Sequence, residues 1–208
     1  MKNIVFVFDL DGTIVDSVEL HAQAFKYAVK KLGYRNYQEL YRKFKKYVGL
    51  SLEDIIKVIL SGISKKEIER IRYLKDYFFY KNIKKIKPKK RVIKIVKKLK
   101  NKGFKIAIFS SSPKKLVRRV LKTLKLEENF DYIVAKEDVK NHKPNPEGLY
   151  KIMKHFKTRN IVFVGDSKFD ELAAKRAKIR FINVRDLSLK NIKVYLENIL
   201  YDSKTKSK

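Results

Sequence analysis

The sequence predicts an α/β protein: a parallel sheet interrupted, after its first strand, by a small all-helical insert. Three observations carry this. Short apolar runs rich in β-branched and aromatic residues recur at Asn3–Phe8, Phe104–Phe109, Tyr132–Ala135, Asn160–Val164 and Arg180–Val184, as buried parallel strands do. From Lys90 onward these runs alternate with amphipathic segments, the pattern of right-handed strand–helix–strand crossovers. Between the first run and Lys90, about seventy residues carry no strand signal at all.

Within that gap the apolar period is helical. Val18, Ala22, Phe25, Val29 and Leu32 share one face, and Gly33 ends the segment. Ser51 followed by Asp54 reads as a helix start. Ser64 with Glu67 forms a capping box, flanked by Ile63 and Ile68 as a hydrophobic staple. Ile68, Ile71 and Leu74 continue the apolar face. The insert's two connections to the sheet run near Asp16 and near Lys84 to Pro88. Beyond them, helices are expected at Lys90–Lys102, Pro113–Lys125, Pro146–Phe156, Asp170–Ala177 and Leu189–Leu200. Val92, Ile93, Val96 and Leu99 stripe the first, and Gly103 sits where a C-terminal glycine belongs. Leu116, Val117, Val120, Leu121 and Leu124 stripe the second, with Pro113 in its first turn. The expected division is a core of residues 1–15 and 86–200, a helical cap of 16–85, and a disordered polar tail of 201–208.

Composition sets bounds. With 208 residues, 44 % of them apolar, the chain can bury a sizeable core. No cysteine is present, which excludes disulfides and thiolate metal sites. There is no 18-residue apolar run and no signal-peptide pattern at the N-terminus, so a soluble cytoplasmic protein with no membrane span is expected. The net charge is +30, and Tyr77 to Leu126 holds 19 basic residues and no acidic one. Such a field attracts anions. Most of those cations interleave with apolar stripes, which fits solvated helix faces; a nucleic-acid partner is the less favoured reading. Oligomeric state is not encoded in any pattern read here.

Chemistry concentrates at strand ends. FDLDGT, Phe8 to Thr13, places Asp9 and Asp11 at the C-terminal edge of the first strand, where open α/β sheets bind ligands. Two acids so close repel unless a cation compensates. The second strand ends in Ser110-Ser111-Ser112. Lys143 stands in HKPNPE. The fourth strand ends in Gly165-Asp166-Ser167, with Asp170 four residues after Asp166. This ordered set resembles the four motifs of the haloacid dehalogenase superfamily, in its phosphoglycolate phosphatase and β-phosphoglucomutase-like group. The resemblance runs from Asn3 to about Leu200. Ser111 stands where relatives often carry Asn, His142 where a Gly often precedes the lysine, and Lys178 near a common Gly.

The resemblance implies a Rossmann-like core and a Mg²⁺-dependent phosphatase acting on a small phosphorylated metabolite. Asp9 would be the nucleophile, forming an aspartyl-phosphate, and Asp11 the general acid and base. Mg²⁺ would be held by Asp9, the Asp11 carbonyl and Asp166, with Asp170 behind, holding Lys143 or a metal-bound water. Lys143 would offset charge on Asp9 and the phosphoryl oxygens. Ser110 and Ser111 would contact the phosphoryl group, and Gly12 would allow close backbone approach. In the cap, His21 either contacts substrate or sits on the helix surface, and Lys45 and Lys46 could bind a second anionic group. Phosphoglucomutase-like transfer, pyrophosphate hydrolysis and, in another class, nucleic-acid binding or end-phosphatase activity remain the alternatives.

Overall fold

The computed structural model describes residues 4–192. Its main sheet has five parallel strands in the order β5-β4-β1-β6-β7: β1 (Val5–Phe8), β4 (Lys105–Phe109), β5 (Tyr132–Val134), β6 (Ile161–Gly165) and β7 (Arg180–Asn183). All five lie inside or within one residue of the expected runs. β1 is central, pairing Val5 with both Lys105 and Ile161. Strand order reverses beside β1, so the crevice above its carboxyl end is where an open α/β sheet presents a site.

Side-chain alternation divides the core in two. Phe6, Phe8, Ile106, Ile108, Val162 and Val164 pack with the apolar stripes of α5 (Lys90–Asn101) and α6 (Lys114–Thr123). Val5, Val7, Phe109 and Phe163 point the other way, onto Leu149 and Ile152 of α7 (Glu147–Phe156) and Ala173 and Ala174 of α8 (Lys168–Arg176). Both faces are covered, which explains why the strands read as continuous apolar runs.

The insert holds α1 (Val18–Lys31), α2 (Tyr37–Tyr47), α3 (Leu52–Ile59) and α4 (Lys65–Lys81) around a third cluster centred on Phe25, Phe44, Ile55, Ile56 and Ile71. Ser64 and Glu67 make both halves of the capping box, and Ser51 accepts from the Asp54 amide at 3.2 Å. Its two connections pair with each other. β2 (Val15–Asp16) and β3 (Lys87–Pro88) form an antiparallel two-strand ribbon, Val15 opposite Pro88. Sequence patterning did not reveal this pairing, because two-residue strands leave no period to read. Of the helix expected at Leu189–Leu200, residues past 192 lie outside the described region, as does the tail expected to be disordered. No helix among the described residues is long and apolar enough to cross a membrane.

Candidate active site

Three loops at the carboxyl edge of the sheet converge. β1 delivers Asp9 and Asp11, β4 delivers Ser110 to Ser112, and β6 delivers Asp166 and Asp170. Gly12 turns the first loop at φ +85°, and a Cβ there would lie 2.3 Å from Asp166 Oδ2. Only glycine lets the two loops approach this closely. Thr13 buttresses the pair, donating to Asp166 Oδ1 at 2.8 Å. Gly165 does the same for the last loop, since a Cβ would meet that of Asp170 at 2.5 Å. Ser167 caps α8, and Asp170 closes its capping box at 2.6 Å from the Ser167 hydroxyl. Asp170 is thus both a helix cap and a site residue.

Lys143 enters from the loop before α7, its peptide to Pro144 cis, and is 1 % exposed. Its ammonium donates to Asp9 Oδ1 at 2.6 Å, Asp170 Oδ1 at 2.7 Å and the Phe109 carbonyl at 3.3 Å. Burial alone would strip the proton from such a lysine, but Asp170 and Asp9 outweigh it and raise the pKa. Asp9 shows the opposite balance. Burial first, then Asp170, Asp166 and Asp11, push its carboxyl well above the usual range against the pull of Lys143. The two partners therefore disagree over how strong their pair is. The geometry favours a charged Lys143 shared between two carboxylates, which leaves Asp9 short of counter-charge. Asp166 is raised as well, chiefly by burial.

Carboxylate oxygens of Asp9, Asp166 and Asp170 all lie within 4.8 Å of one another. An all-oxygen donor set with an excess of negative charge suits a hard divalent cation. Lys89, at the start of α5, reaches the Gly12 carbonyl beside this cluster and partly offsets it. Lys89 was not singled out from sequence, being one of 52 basic residues.

Asp11 is held differently. It accepts from Ser17 at 2.6 Å and Ser112 at 2.7 Å, and it meets His21 Nε2 at 2.9 Å. Burial raises its carboxyl, but His21 and the three donors more than reverse this and hold it well below the usual range. That reversal counts His21 as a cation, whereas burial and Lys75 push His21 itself down, toward the neutral form. A neutral Nε2–H still donates to Asp11, alongside Ser17 and Ser112. The tautomer follows from Lys75, whose ammonium lies 3.1 Å from His21 Nδ1 and leaves that nitrogen to accept.

Two cap expectations change here. His21 is not a surface residue: it is 6 % exposed and stacks on Phe79 with ring centroids 4.4 Å apart. Lys45 and Lys46 do not face the site. Lys45 is half exposed and pairs with Glu19 at 2.8 Å, and neither lysine lines the cavity beside Asp9. Lys75 takes that place. It is 5 % exposed, has no carboxylate within ion-pair distance among the described residues, and its proton affinity is lowered mainly by burial. Sequence reading missed it, yet Ile71, Lys75 and Phe79 are spaced four apart on one buried stripe. A lysine on that stripe was the available signal.

The serines also divide their work unexpectedly. Ser110 is buried and its oxygen accepts from the Ser112 amide at 3.1 Å. Ser111 and Ser112 line the cavity, Ser111 donating to the cap's Gly49 carbonyl at 2.7 Å. The cavity is about 50 Å³ and runs from Asp9, Asp11 and Lys143 to Lys75 and His21, walled by Phe44, Val48, Leu50 and Ile55. A second seam closes the cap over the core, with Lys136 donating to Glu53 at 2.6 Å and Arg72 pairing with the same carboxylate.

Fold and site together define a capped α/β hydrolase with an acid-rich centre. Residues 6–184 match the family of haloacid dehalogenase-like hydrolases, and the chain belongs to that family, on its phosphatase side. Pyrophosphatase PpaX of Halalkalibacterium halodurans is 31 % identical over 84 % of this chain and 80 % of its own. Phosphoglycolate phosphatase of Aquifex aeolicus is 29 % identical over 83 % of this chain and 80 % of its own. Among solved structures, CbbY from Rhodobacter sphaeroides in complex with phosphate superposes with a TM-score of 0.73 at 23 % identity, covering 88 % of this chain and 86 % of that one.

Proposed function

We propose that this protein hydrolyses a small phosphate ester or anhydride whose leaving group is itself anionic, with Asp9 as nucleophile. The observation that carries the leaving-group assignment is Lys75, a buried ammonium on the cavity wall with no carboxylate partner among the described residues. A buried unpaired cation is costly to keep and fits a site that awaits an anion. A carboxylate or a second phosphate meets that need, which makes 2-phosphoglycolate and inorganic pyrophosphate the two leading substrates. The relatives named above divide between the same two activities.

In this reading Asp9 attacks phosphorus, forming an Asp9–phosphorus bond while the bond to the leaving oxygen breaks. Asp11 gives its proton to that oxygen. Because Asp11 is ionised when held by Ser17, His21 and Ser112, it must gain a proton as the phosphate dianion arrives. The entering substrate or its water supplies that proton, since His21 is held neutral and Lys75 must stay charged to hold the leaving group. Water then attacks phosphorus, Asp11 takes its proton, and the Asp9 carboxylate is regenerated. Lys143 keeps Asp9 oriented and neutralises phosphoryl oxygens, and the Ser110–Ser112 loop supplies hydroxyl and amide donors. Asp9, Asp166 and the Asp11 carbonyl would hold Mg²⁺, with Asp170 fixing Lys143 behind them; the ion would supply charge neutralisation on the phosphoryl group. The cavity beside Asp9 and Asp11 is narrow with the cap in place, which favours a compact substrate over a sugar bisphosphate or a nucleic-acid end.

The direct test is a panel of 2-phosphoglycolate, pyrophosphate, glucose 6-phosphate and p-nitrophenyl phosphate with Mg²⁺. Wild type should favour the first two. Lys75→Met should lower their kcat/KM by about 10–100-fold, the value of a charge-assisted bond, and change p-nitrophenyl phosphate turnover by less than about threefold. An equal loss on all four substrates would remove Lys75 from substrate recognition.

Mg²⁺ should also stabilise the fold, in a pH-dependent way. Asp9 and Asp166 have raised folded pKa values, so their contribution is fully present below the unfolded value of about 3.9 and is lost as pH rises through the folded ones. At neutral pH the acids repel, and a cation relieves them. Saturation at 100 times Kd is worth about 2.7 kcal/mol. The melting-temperature rise should therefore be larger at pH 7.5 than at pH 5, and absent in Asp166→Asn. A rise in that variant matching wild type would place the ion elsewhere.

A further inference from the structure

The strongest unassigned surface lies on the opposite side of α4 from Lys75. There α4 and α6 border a groove of about 800 Å³ that continues, past Tyr80 and Lys115, into a second hollow of about 460 Å³. Tyr73, Tyr77 and Tyr80 line its α4 wall at positions i, i+4 and i+7. Successive rings are thus separated by about 6 and 4.5 Å along the helix axis. Tyr73 is 73 % exposed and Tyr77 50 %. Lys115, Arg118, Arg119 and Lys122 repeat the same spacing along α6, and none has a carboxylate within 4 Å among the described residues. Three acids, Glu69, Asp76 and Glu127, also reach the groove, against six cations.

We infer that this groove binds single-stranded nucleic acid. Two exposed tyrosine rings, Tyr73 and Tyr77, with half-buried Tyr80 at the end of the row, offer flat faces on which bases stack, and the facing cations track a phosphodiester backbone. The alternating arrangement, rings on one wall and charges on the other, matches the two sides of a single strand. A duplex hides its base faces and would leave the tyrosines idle. An anionic membrane would call for an apolar face of Leu, Phe or Trp to bury below the headgroups, and the groove's lining holds none of these. Charge alone does not single out this surface. The α5 face carries Lys90, Lys94, Lys97 and Lys98 around another hollow, but no aromatic residue. That face supplies the internal control.

The test is fluorescence anisotropy with end-labelled 15-nucleotide RNA and DNA single strands and a 15-base-pair duplex, from 50 to 300 mM KCl. Single strands should bind at 150 mM salt, more tightly than the duplex, with affinity falling steeply as salt rises. Tyr73→Ala/Tyr77→Ala should weaken binding by at least about tenfold without changing the salt slope. Arg118→Glu/Arg119→Glu should weaken it comparably and flatten the slope. Lys94→Glu/Lys97→Glu, which makes the same charge change on the α5 face, should stay within about twofold of wild type. Circular dichroism melts of all three variants confirm folding. Equal losses from the groove and the α5 face would mean diffuse attraction to +30 and overturn the inference. So would loss of all binding at 150 mM salt, or a duplex bound as tightly as a single strand.

Discussion

Asp9→Asn is expected to lower kcat by at least about 10⁴-fold, or about 5 kcal/mol of transition-state stabilisation, while leaving the fold intact. The amide is nearly isosteric and its oxygen can still accept from Lys143, which keeps its second carboxylate in Asp170. What disappears is the only group at the end of β1 positioned against Lys143 that can form a phospho-enzyme. The melting temperature without Mg²⁺ should hold or rise, because one of several mutually repelling buried acids is neutralised. Steady-state kinetics on the best substrate of the panel, with a thermal melt alongside, read both effects. Turnover within tenfold of wild type would remove Asp9 from the nucleophile role.

Lys143→Met should be damaging in a different way. Its ammonium is the shared partner of two carboxylates that are 3 % and 0 % exposed, so removing it leaves uncompensated buried charge, at a cost of about 3–5 kcal/mol. A clear fall in melting temperature is expected, along with a loss of about 10²–10³-fold in kcat from the missing charge on the phosphoryl oxygens. The two effects separate in the double variant Lys143→Met/Asp170→Asn. Neutralising Asp170 should recover much of the stability and none of the activity. If stability and activity return together, Lys143 acts only as a structural counter-ion.

The sheet was legible because its strands are buried on both faces and so are apolar without interruption. The acids were legible because chemistry needs them at strand ends, in a fixed order. Asp9, Asp11, Lys143, Asp166 and Asp170 do converge, from segments up to 161 residues apart in sequence. The cap was less readable. His21 and Lys75 owe their burial to the packing of α1 on α4, which no local pattern announces in a chain with 52 basic residues. Ser112 was overshadowed by its neighbour Ser110. Which of three adjacent hydroxyls reaches Asp11 depends on how the chain leaves β4, and composition carries no trace of that. Lys45 and Lys46 misled for the converse reason: adjacent cations in the insert suggest an anion site, but both project from α2 toward solvent, Lys45 onto Glu19.

The seam around Glu53 joins the cap to the core. One carboxylate on the cap holds Arg72 from its own domain and Lys136 from the core, and the Ser111–Gly49 bond lies close by. Lifting the cap from the core breaks the Lys136–Glu53 pair and the Ser111–Gly49 bond together. Arg72 and Glu53 both belong to the insert, so the carboxylate keeps a cationic partner when Lys136 is lost. The Glu53 carboxylate is therefore a tether with a built-in escort for its charge.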